Sequence, residues 1–169
     1  MSGTSIISIE SNSQHGAGMI EVLVALLVMS IGILGYAGLQ LRALDSANQS
    51  HFRTQAAAIA QSVVERISVN PGATARALYQ SPGGWDQSDM TKSKPSGWDT
   101  CINAVCTQAQ IAAWDILQSR WLAWSLLPNG HVSTTACDSL TCVVVAWNDA
   151  TPAACDPSID DCVMLEVLP

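Results

Sequence analysis

Six cysteines, one carboxylate inside an apolar run and three histidines are the side chains of this 169-residue chain whose types and spacing invite chemistry. Cys101, Cys106, Cys137, Cys142, Cys155 and Cys162 all lie in the C-terminal part. An even number of cysteines confined to one small domain reads as a disulfide framework formed in an oxidising compartment. Zinc is the rival, because Cys101/Cys106 and Cys137/Cys142 are each separated by four residues. No CxxC or neighbouring histidine supports it. The connectivity stays open among the pairings six cysteines allow. Local pairs (101–106, 137–142, 155–162) would each close a short loop beside a predicted helix or strand. His15 falls in the N-terminal stretch and His51 on the predicted helix, His131 follows Gly130 without a nearby Ser or Cys nucleophile pattern, and paired cysteines are not free nucleophiles. No catalytic, cofactor-binding or metal site is predicted, and the chain does not read as an enzyme. Asp156, Asp160 and Asp161 could hold a cation weakly, but they read better as a solvated acidic loop.

Glu21 is the informative carboxylate. From Ala17 to Leu44 the only charged residues are Glu21 and Arg42. The run Ala17–Leu39 is long enough to cross a bilayer core of roughly 30 Å as a helix. A carboxylate near the centre of such a span costs about 2.5 kcal/mol or more, and less at shallow depth. The positive end of the helix compensates part of that cost. A full partner would be an ammonium group. Cleavage after Gly16 would make one, the α-amine of Ala17, either in the same chain or in a neighbour. Pairing with a neighbour would drive assembly inside lipid, where charge is least screened. The bland reading is a Glu tolerated near the membrane surface.

These residues need elements to hold them. Met1–Gly16 is short, polar and serine-rich, either a frayed end or a removable leader. Gly32, Gly35 and Gly38 permit close helix approach, or are simply the glycines common in membrane helices. Beyond the apolar run, Phe52, Ala56, Ile59, Ala60, Val63, Val64 and Ile67 keep the helical period, so an amphipathic continuation needs a packing partner. Asn70-Pro71-Gly72 stops it, giving one helix of roughly fifty residues. Residues 70–100 are loop-rich. Trp85 and Trp98 in that stretch either fold back over a small core or bind something. Thr107-x-x-Gln110 is a capping box opening a helix whose Ile111, Trp114, Leu117, Trp121 and Trp124 read as a core stripe. His131–Thr135, Cys142–Trp147 and Val163–Leu168 are predicted strands. The fold class is α+β: a long N-terminal helix, half transmembrane and half amphipathic, packed on a small antiparallel sheet with disulfides.

Charge narrows the partners. Fourteen acids against seven bases give a net charge of −7, and no Lys/Arg cluster exists to line a nucleic-acid groove. Bases are also too few to hold an acidic membrane surface.

Gly16-Ala-Gly-Met-Ile-Glu21 and the apolar run after it resemble the class III signal of type IV pilins and type II secretion pseudopilins. Gly16 matches the last leader position and Glu21 the fifth mature one. The resemblance implies cleavage between Gly16 and Ala17 by the prepilin peptidase, N-methylation of Ala17, and a Glu21 that pairs with the amine of an adjacent subunit. The run Ile20–Gly35 is similar to the start of the type IV pilus modification protein family (PilV), a group of minor pilins. Cys101-x4-Cys106, Gln110–Asp115 and Leu127-Pro-Asn-Gly130 lie in that family's order. Two features depart from the pattern: the leader lacks Lys and Arg, and Ala17 stands where Phe is usual. Charge bias alone would hold Arg42 and Arg53 in the cytoplasm, whereas the cysteines want the periplasm.

The implied organisation is a leader (1–16), a transmembrane and assembly helix (17–44), an amphipathic continuation (45–70) and a periplasmic disulfide-containing head (71–169). The implied function is a minor pilin in assembly, initiation or modification of type IV pili. The alternatives are a type II secretion minor pseudopilin and a pilus-tip adhesive binding module. Implied partners are other minor and major pilins through the N-terminal helix, the prepilin peptidase, the inner membrane and a tip adhesin, with no nucleic acid. The implied location is the inner membrane, single-pass with a periplasmic head, and the pilus after assembly.

Overall fold

A computed structural model describes residues 18–91, 93–137 and 140–168. In chain order it holds α1 (Met19–Val69), α2 (Ala73–Tyr79), a 3-10 turn (Pro82–Trp85), α3 (Gln108–Leu126), β1 (His131–Cys137), β2 (Leu140–Ala146), a second 3-10 turn (Pro152–Ala154) and β3 (Cys162–Val167). The fold is α+β, a long N-terminal helix and a three-stranded antiparallel sheet of order β1-β2-β3 with three disulfides. Two compact units divide the chain, the first ending at Asp45 and the second beginning at Ser46.

In the first unit α1 is built from Leu, Ala, Met and Val with no proline, and every described residue is exposed. Glycines at 32, 35 and 38 would each cost a soluble helix about 1 kcal/mol, yet helical pairing continues through all three.

The second unit, the head, contains the rest of α1. Ala56, Ile59, Ala60, Val63 and Ile67 are buried on one face, with Phe52 and Val64 half-buried beside them. This is the predicted amphipathic stripe, and it packs in one core with Val132, Val143, Val145, Trp147 and Val167 of the sheet region. β2 is the central strand, and Cys142 through Ala146 are fully buried. Its β-branched run is covered on both faces, which explains why it reads as continuous rather than alternating.

Two elements differ from expectation. Residues 73–79 form α2 where the sequence reads as loop. Two turns between Pro71-Gly72 and Ser81-Pro82 give too short a period to detect, and the helix depends on burying Ala75 and Tyr79. In α3 the capping box forms as expected, but the deepest face is not the tryptophan stripe. Ala112, Asp115, Ile116, Ser119 and Ala123 are buried, while Trp114, Trp121 and Trp124 are half-buried. The small side chains bring the α3 backbone close to its neighbours. Trp114 and Trp121 instead hold the segment before them, through Nε1 donation to Trp98 O (2.6 Å) and Ser93 O (3.2 Å).

Leu127-Pro128-Asn129-Gly130 makes the tight exit from α3. Asn129 has φ 50° and Asn148 has φ 56°. Asn148 N donates to Pro128 O and Asn129 Nδ2 to Asn148 O, both at 2.7 Å. A Cβ on Gly130 would lie 2.1 Å from Ala123 O, so only glycine fits there.

Candidate functional site

Glu21 occupies the first turn of α1, where its N–H donates to Gly18 O at 2.9 Å. Its carboxylate is exposed and surrounded along the helix by exposed Met19, Ile20, Val22, Leu23 and Val24. Further along, Gly32, Gly35 and Gly38 face open space, and Ser30 turns its hydroxyl inward onto Leu27 O at 2.8 Å. Among the described residues, α1 is the one helix long and apolar enough to cross a membrane. In water this surface is unfavourable; lipid or another apolar helix would cover it. The predicted cleavage junction Gly16–Ala17 and the methylation site Ala17 lie outside the described residues.

In the head the cysteines pair as Cys101–Cys106, Cys137–Cys142 and Cys155–Cys162, with Cα separations of 5.8, 5.7 and 6.0 Å. The second bridge ties β1 to β2. The third ties the acidic loop to the start of β3. The first closes the loop ahead of α3, where Asn103 takes φ 57°. Asp156 and Asp160 cap turns within the acidic loop: Asp156 N donates to Asp160 Oδ2 at 2.8 Å, and Ser158 to Asp156 Oδ1. Ser158's hydroxyl and amide hold the Asp156 carboxyl below the usual range. Arg53 reaches the same loop, donating to Pro157 O and Asp160 O, and lies over the Trp147 ring. His51 is exposed, and His131 opens β1 half-buried.

Trp85 folds inward to 4 % exposure, and its Nε1 donates to Tyr79 O at 2.8 Å. Trp98 is half-buried, edge-on to Trp121 with ring centroids 4.9 Å apart.

A polar network missed in the sequence locks the head. Arg66 Nη1 lies 2.5 Å from Asp115 Oδ1, and Tyr79 donates its hydroxyl to Asp115 Oδ2 at 2.6 Å. Asn70 Nδ2 reaches Gln108 O at 2.9 Å. Burial first, then the hydrogen bond to Asp115, push the Tyr79 hydroxyl well above its ordinary range. Three helices meet at this one carboxylate. The available signal was an Asp within an otherwise apolar-flanked helix, which names no partner.

A long apolar N-terminal helix, followed in the chain by a small antiparallel sheet and three disulfides, is consistent with a pilin fold. The model of the family described as Tt1218-like, type IV pilin Tt1218, matches residues 38–117. That stretch runs from the end of the apolar segment to the middle of α3, and its likeness to the family supports a type IV pilin-like protein. The long apolar helix fits that likeness. No curated protein and no solved structure matches the chain.

Proposed function

We propose that the protein is a minor pilin, a subunit that joins type IV pili through its N-terminal helix. The observation that carries this is Glu21, the one acid in the first turn of an otherwise uncovered apolar helix. The prepilin peptidase cuts between Gly16 and Ala17, and Ala17 is N-methylated. The subunit then waits as a single-pass inner-membrane protein with its head in the periplasm, where the disulfides form. Entry into the pilus moves the helix from lipid into a bundle of neighbouring helices. There Glu21 meets the α-amine of an adjacent subunit in a medium where opposite charges attract strongly. The type II pseudopilin reading shares Glu21; the type IV pilin match supports the pilus.

Mass spectrometry of the mature N-terminus tests this. The expected result is a chain beginning at methylated Ala17. Gly16→Ala blocks cleavage. Glu21→Ala is cleaved but absent from sheared pili. Intact Met1 together with normal incorporation of both variants would sink the proposal.

A further inference from the structure

The head carries a groove of about 470 Å³ that the assembly reading does not use. Residues 131–133 of β1 run along it. The Pro82–Ser88 segment, Trp124 and the second 3-10 turn, Thr151–Ala153, also line it. β1 is an edge strand, and among the described residues no backbone hydrogen bond reaches it from any element except β2. An edge strand without a second backbone partner, running along a lined groove, meets the main requirement for β-strand addition: main-chain bonds along the edge, with side chains of the added strand seated in the groove.

Two further features say what would lie there. Gln87, 7 % exposed, donates its Nε2 to Arg120 O at 3.0 Å, while its buried Oε1 has no partner among the described residues. Asp86 lines the rim and is exposed. Ser88's hydroxyl and amide hold its carboxyl below the usual range, so it is charged at neutral pH. His131 is the other titratable group on the lining. The groove therefore offers the negative charge of Asp86 and a half-buried tryptophan, Trp124.

We propose that this groove binds an extended peptide segment of another protein, which adds as a strand to β1, seats a large apolar side chain by Trp124 and presents Lys or Arg to Asp86. This does not depend on pilus incorporation, so either reading can fail alone.

The test pans random peptides displayed on phage against the full chain in detergent micelles. Enriched peptides are expected to pair a large apolar residue with a nearby Lys or Arg. Asp86→Lys, on an exposed side chain, weakens a synthetic enriched peptide about fivefold and reduces its salt sensitivity. N-methylating alternate amides of that peptide abolishes binding in one phase and spares it in the other, the signature of strand pairing. Peptides that tolerate N-methylation in both phases, or ignore Asp86→Lys, overturn the proposal. So does the absence of any enriched peptide, or binding confined to glycans on an array.

Discussion

Asp115 is 5 % exposed and accepts from Arg66 and Tyr79 on its two oxygens. Removing it strands a half-buried guanidinium and a buried hydroxyl together. Asp115→Ala is expected to cost about 3 kcal/mol, read as a fall in the urea midpoint. The ion pair of Arg120 with Asp89 makes the contrast. Asp89's side chain is 66 % exposed, so its loss should cost about 0.5 kcal/mol or less. Tyr79 sets a pH limit. Its folded pKa is raised, so its contribution is complete below its unfolded value of about 10 and is lost as pH climbs above it. The head should therefore weaken in that alkaline window, and Tyr79→Phe should remove that part of the slope while costing about 1 kcal/mol at neutral pH. Denaturant melts at pH 7, 9.5 and 11 would check this. Glu21 and the cysteines were legible as single residues because a charge in an apolar run and an even cysteine count each carry meaning locally. Asp115 was not, since its ion-pair partner lies 49 residues away.

At the scale of elements, the turn after α3 is the least forgiving. Gly130→Ala would drive a Cβ against Ala123 O at 2.1 Å, onto backbone that cannot swing aside. An expected loss of about 2 kcal/mol or more follows, seen as a lower thermal midpoint. Gly83 meets nothing within 4 Å and is the matched control; its replacement by Ala should change little. The long helix, the capping box and the three strands could be read because each satisfies a periodic or capping rule over enough residues. α2 could not, because two turns supply too few positions for a period. The α3 face was misread for a related reason. Trp114, Trp121 and Trp124 outweigh Ala112, Ser119 and Ala123 by size, but close backbone approach favours the small ones.

For the molecule as a whole, the apolar inventory is split. Much of it lies on α1 before Asp45, where every described residue is exposed. The head must hold itself with what remains, and small cores of that kind need staples. Reducing the disulfides should lower the head's unfolding free energy by about 2 kcal/mol per bridge for loops this short. A shift of the urea midpoint under reductant measures it, and an unchanged midpoint would contradict it. The bridges also matter to a molecule that is pulled rather than heated. Each fixes its Cα atoms about 6 Å apart, where the freed loop could stretch to on the order of 20 Å. Under tension these loops cannot pay out slack. Load passes across the bridges at β1–β2 and at the mouth of β3, and the oxidised head lengthens in shorter steps than the reduced one.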